Sequence, residues 1–284
     1  MLEMLLSPIK AKQKSWYMFF IGLFYGIISV LLARFFFAHD IIMAKHLGII
    51  IVTFSVMFCT PFVYFLFRIE EKKEFIEESF FRVLKEHQKS MAALLFLFLG
   101  LLVGYSLMYI GLSKETFATQ IETYCSINKP NNFQNCIKEY GLTSKTTGFV
   151  TSKDRFLAIF SNNIYVLIFT IIFSLIFGAG GMFVLAWNAS VIAAAIGIYT
   201  KSQFNKIFLG LGRYMIHGIP EIAAYFFGLL AGGILSIAIT KKDYKTGRFF
   251  NILQNILLLI ILAVIILIIA GFIEVYITPL IFEK

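Results

Sequence analysis

Residues Phe156–Tyr199 read FLAIFSNNIYVLIFTIIFSLIFGAGGMFVLAWNASVIAAAIGIY, and the path of the chain through Gly178-Ala179-Gly180-Gly181 decides the fold. Either one long span here is followed by a re-entrant stub, or Phe156–Phe177 and Met182–Tyr199 are two spans joined by a tight turn. Glycine permits a turn where bulkier side chains clash, which favours two spans. The basic residues weigh the same way. Lys10, Lys12 and Lys14 precede the first apolar run, and Arg68, Lys72, Lys73, Arg82, Lys85 and Lys89 follow the second. Lys241, Lys242, Lys245 and Arg248 fill the connection before the last. Basic connections collect on the cytoplasmic side. Only the two-span reading puts all three segments there, with the amino terminus inside and the carboxyl terminus outside.

The remaining runs complete the count. A bilayer core about 30 Å thick needs roughly 20 apolar residues of helix. Trp16–Phe37, Ile41–Phe67, Met91–Ile110, Pro220–Ile239 and Asn251–Ile277 meet that length, so seven spans are expected. The chain is 59% hydrophobic and only 14% charged, which excludes an ordinary soluble domain. Strict alternation of the outer-membrane barrel type is absent. The fold class is therefore all-α: a polytopic transmembrane bundle in the cell membrane, with amphipathic interfacial helices. The first run is long and has no small-residue cleavage site, so it reads as a retained signal anchor. The net charge of +9 lies in the connections, where it meets lipid headgroups, and no nucleic-acid partner is expected.

Three regions are expected: residues 1–110 with three spans, an extracytoplasmic loop at 111–155, and a membrane domain at 156–284. Within the first, a connector over 68–90 carries Ile69, Ile76, Phe80, Val83, Leu84 and His87 at helical spacing among Glu and Lys. It reads as an amphipathic helix on the membrane surface or extending the second span. The loop holds Cys125 and Cys136, with turn formers at Asn128, Lys129, Pro130, Asn131 and Asn132. In an exported loop two cysteines point to a disulfide. The alternative is two free thiols in a reducing space, which inverts the topology. Cys59, alone in a span, reads as a small buried apolar residue.

Packing candidates are the small residues Ala189, Ala193 and Gly197 on the fifth span and Gly228 and Gly232 on the sixth. Helices in lipid associate through such close contacts, so these two spans are expected to pack together, within one protomer or across a homo-oligomer. A further amphipathic stretch, Phe204–Met215, reads as an interfacial elbow or lid before His217.

Ionisable groups within a membrane are costly and mark packing, transport or chemistry. His217-Gly218-Ile219-Pro220-Glu221 opens the sixth span, and proline suits a first helical turn, where the macrodipole favours Glu221. The topology gathers His217, Glu221, Glu274, Asn162 and Asn163 into one outer layer, with Asn188 deeper. Three roles are open. A metal centre would use His217, Glu221 and Glu274, at weak spacing. A proton or ion path would use the carboxylates as relays. A structural role would cap the helix with Glu221 and pair Glu274 with Arg213 or an amide. No hydrolase triad spacing, HExxH, P-loop or dinucleotide fingerprint is present, so no catalytic residue, metal or cofactor is assigned.

From about Phe156 to Leu280 the chain resembles the stage II sporulation protein M family. Three stretches carry the likeness. They are the Asn-bearing fourth span through the glycine turn to Asn188; His217–Glu221 with Ala223-Ala224 and Gly228–Gly233; and Ala270–Glu274 ending Ile277-Thr278-Pro279. The family commonly has glycine where this chain has Ala189. The resemblance implies an integral membrane scaffold; the sporulation member is regarded as holding cell-wall hydrolases, stage II sporulation proteins D and P, at the septal membrane. Many relatives occur where there is no sporulation. The expected function is a scaffold or assembly factor for envelope-associated proteins, with an ion or small-solute transporter as the alternative.

Overall fold

Peptide groups in lipid find no water, so each run must satisfy its own hydrogen bonds by coiling into helix. A computed structural model describes residues 14–40, 42–72, 80–112, 114–128, 135–137, 152–200, 203 and 206–282. Within them, seven helices are long and apolar enough to cross a bilayer. They are Tyr17–Phe37, Leu47–Glu70, Phe80–Gly111, Ser152–Phe177, Met182–Tyr199, Ile207–Thr240 and Arg248–Phe272, called here spans one to seven. A π-helical turn, Ile273–Ile277, continues the last. Within the loop, Ala118–Asn128 forms a further helix.

The glycine cluster does reverse the chain. Gly178 has φ 60°, a left-handed value that side-chain-bearing residues rarely adopt, and a short 3₁₀ turn over Ala179–Gly181 launches the fifth span. Span four is already helical from Ser152, so Ser161, Asn162 and Asn163 lie within the helix.

Two close approaches set the directions. Gly22 of span one sits on the backbone of Leu97, and Gly100 of span three sits on that of Phe19. Gly26 then meets Leu101 and Gly104, so spans one and three advance in parallel. At the end of span two, Glu71 pairs with Lys241 and Arg248 beyond span six. The basic segments at Lys14, after span two and before span seven therefore share one face. On the opposite face, Arg34 Nη1 donates to Thr116 Oγ1 at 3.0 Å, tying span one to the loop. These are the basic face and the loop face below.

The two legs of the glycine hairpin part company. Span four runs parallel to span six: Gly228 packs on Leu167 and Gly232 on Ile171. Span five instead packs on span three, where Gly197 lies against the Tyr109 ring. Ala189 and Ala193 are fully buried beside it. Spans five and six do meet, with Gly210 against Ile196 and Thr200, but the glycines at 197 and at 228 and 232 face different neighbours. Parallel helices with matched stripes pack along their length, and each leg follows its own partner. The separation leaves a cleft between spans four and five.

Two more expectations are corrected. Span six does not start at Pro220. The helix runs unbroken from Ile207 to Thr240, absorbing the described part of the supposed elbow, so Glu221 is no first-turn cap. Proline in a membrane helix is tolerated where neighbours satisfy the freed carbonyl. Nor is the 68–90 connector one separate surface helix. Ile69 and Glu70 end span two, and Phe80 onward extends span three, so the segment divides between two spans. Lys10, Lys12, residues 73–79, the turn formers at 129–132, Phe204 and Asn205, and the side chains of Phe80, Val83, Leu84 and Arg213 lie outside the described part.

Candidate functional site

The loop-face layer is built on one helical seam. His217, Glu221 and Tyr225 recur every fourth residue of span six and so share a face, which Gly228 and Gly232 continue toward the basic side. Span four supplies the facing residue. Asn163, only 6% exposed, donates through Nδ2 to Glu221 Oε1 at 2.6 Å. Its Oδ1 accepts from the Tyr225 hydroxyl at 3.0 Å. One carboxamide thus satisfies an acid and a phenol at once, using its donor and acceptor ends. Asn162 sits at the rim, with Nδ2 3.4 Å from Asn163 Oδ1.

Span seven closes the cluster. Glu274 lies in the π-helical turn, and its carboxyl is a hydrogen-bonding neighbour of Glu221. The wider turn re-aims the side chains that follow. Thr278 donates to Ile273 O at 3.2 Å, and its hydroxyl lies 3.4 Å from His217 Nδ1. His217, Glu221, Glu274, Asn162 and Asn163 therefore occupy one layer, with Tyr225 and Thr278 added. Among the described residues, no group of three His, Cys, Asp or Glu side chains converges as a metal ion requires. Chemically, the layer can hold helices together or pass a proton between carboxyls.

A family model described as stage II sporulation protein M matches residues 92–279, well over half of the chain and the whole of this layer. The chain belongs to the stage II sporulation protein M family. The match starts inside span three, so it takes in the rest of that span and the cysteine loop, which the sequence resemblance had left outside. No curated protein and no solved structure matches significantly.

This stage II sporulation protein M family member has a second polar centre that sequence reasoning missed. On the basic face Glu70, Glu71, His87 and Ser90 are all buried. Glu70 pairs with His87 Nδ1 and accepts from Ser90 Oγ at 2.7 Å. Glu71 binds Lys241, lies 3.2 Å from Arg248 Nη1, and offers its carbonyl to Arg248 Nη2 at 2.8 Å. A sequence does not show that the end of span six returns above these charges.

The loop is seated rather than draped. Cys125 and Cys136 form a disulfide, Cα atoms 5.9 Å apart. Phe117 is buried beside the Tyr109 ring. Gln120 reaches into the bundle, donating to Gly48 O at 3.0 Å and sitting 3.2 Å from Ser190 Oγ. Before span two, exposed Asp40 accepts the amides of Ile42 and Met43 at 2.9 and 2.7 Å, and those bonds hold its carboxyl below the ordinary value. Asn188 stands apart from the layer: its Nδ2 donates to Val184 O at 2.8 Å, and it lines the cleft between spans four and five.

Proposed function

We propose that the protein is a membrane scaffold that presents its loop module to envelope-associated partners. One observation carries this reading: the loop helix is fixed to the bundle by Gln120 and Phe117 and stapled by the disulfide. A pre-organised platform loses little entropy on capturing a partner. The reading places the loop and carboxyl terminus outside the cell membrane, the amino terminus in the cytoplasm, and involves no catalytic step. Self-association of the bundle is part of the proposal; a second copy would have to fit by shape against the exposed faces of spans one and seven, which carry Phe24, Phe35, Leu257 and Phe272.

The test is photo-crosslinking in cells from exposed Glu115 and Ser126. A scaffold yields one reproducible partner, retained in Glu221→Gln with Glu274→Gln and lost when both loop cysteines become serine. Absence of any such adduct overturns the reading.

The adjacent Glu221 and Glu274 carboxyls favour a second reading, proton- or cation-coupled transport. It predicts flux in proteoliposomes that the paired glutamine variant abolishes without loss of folding.

A further inference from the structure

The parting of spans four and five leaves a cleft of about 720 Å³, in the range of small-molecule sites. Its walls are Tyr165, Phe169 and Ile172 on one leg and Phe183, Trp187 and Val191 on the other. Tyr165, Phe169 and Ile172 are also exposed, so the cleft opens sideways toward the bilayer interior. Its outer end is polar, with Thr123 of the loop helix and Asn162 of span four at the mouth. From Asn162 to Ile172 the helix rises about 15 Å, half of a hydrocarbon core of about 30 Å.

Polarity separates the possible occupants. A transmembrane helix is apolar through this depth and offers nothing to the amide and hydroxyl at the mouth. The polarity has the same sense as a lipid in that leaflet: amide and hydroxyl groups at the interface, aromatic and aliphatic walls below. Asn188 sits on the wall with its Nδ2 committed to Val184 O, leaving its Oδ1 as an acceptor.

We propose that this cleft is a binding site for one chain of a phospholipid in the loop-face leaflet, its headgroup held near Asn162 and Thr123. A resident lipid fills the space that the hairpin opens and couples spans four and five to that leaflet. The site is independent of the scaffold reading and survives its failure.

The chain has two tryptophans, Trp16 and Trp187, so Trp16→Phe leaves a reporter inside the cleft. The full chain is reconstituted in phosphatidylcholine vesicles with acyl-brominated phosphatidylcholine at low mole fraction. A bound lipid quenches Trp187 at least twofold more than random annular contact predicts. Val191→Trp together with Ile172→Trp, with Trp187 kept, obstructs the cleft from both walls and serves as the filled variant. Native mass spectrometry of detergent-purified protein should then lose the one-lipid adduct that the unfilled chain retains. Quenching that merely follows mole fraction overturns the proposal, as does an adduct equally retained by the filled variant. Cross-links placing a second copy of the chain in the cleft do so too. Thermal unfolding of the filled variant checks its fold; if it fails, the quenching result decides alone.

Discussion

Asn163 on span four donates to Glu221 on span six across 2.6 Å, and this contact sits at the top of a seam that continues through Gly228 and Gly232. Polar and small residues thus act on the same pair of parallel helices. The amide sets their rotation and the glycines set their distance. Removing the amide should therefore cost more than neutralising the acid. Asn163→Leu strands Glu221 and Tyr225 and is expected to destabilise by about 1–3 kcal/mol. Glu221→Gln keeps an acceptor for Asn163 and should lose under about 1 kcal/mol. Unfolding by denaturing detergent, followed by circular dichroism, ranks the two; the reverse order contradicts a locking role.

The crossing of spans one and three offers a sharper contrast. A side chain at Gly22 meets the Leu97 backbone, which has no room to yield. Gly22→Val should lose about 1–3 kcal/mol through overpacking. Gly212, in the loop-face turns of span six, has nothing within 4 Å of an added carbon. Gly212→Ala should raise stability by about 0.5–1 kcal/mol from helix propensity. Melting temperatures in one detergent should move in opposite directions.

Serine at both Cys125 and Cys136 should lower stability by about 2–4 kcal/mol, and reductant should do the same to the unsubstituted chain. The same pair reports orientation. In intact cells a membrane-impermeant maleimide should label them only after reduction. Labelling confined to opened cells puts the loop in the cytoplasm.

Glu71 is fully buried, while its partners Lys241 and Arg248 are about a third and a quarter exposed. Solvent reaching the cations weakens the pair relative to a sealed one. Glu71→Leu should cost about 1–3 kcal/mol. Adding Lys241→Ala should recover part of that loss, because it removes a cation left unpaired. A double-mutant cycle measures the coupling; strict additivity of the two changes refutes it.

Asp40 has its carboxyl held below the ordinary value of 3.8 by two backbone amides. A depressed carboxyl stabilises the fold above its unfolded pKa, and the contribution disappears as pH falls through the folded one. Asp40→Ala should therefore be less stable than the unsubstituted chain at neutral pH. The difference should close only once the pH drops below the ordinary carboxyl range. A gap that persists under strong acid removes the charge from the explanation.

Much of the loop-face layer was legible residue by residue. Glu221, Glu274, Asn162, Asn163 and His217 stood out because each is polar in an apolar run. Tyr225 was legible in principle, being four residues after Glu221 on one helix face. Glu70, Glu71 and His87 were not, since a charge at the end of a span looks the same whether water or another helix covers it. Pro220 misled for a related reason: proline suits a first turn, yet here the helix runs straight through it.

Span number, the reversal at Gly178 and the sharing of one face by the basic segments were all determined by the sequence, because lipid demands helix from every long apolar run and glycine marks where it can turn. Which helix each small-residue stripe would meet was decided only in three dimensions. Contact between helices in lipid depends on matching shape rather than on apolarity, which every span has in equal measure. That is why the legs of the hairpin chose different partners, and why the cleft between them could not be read from the chain.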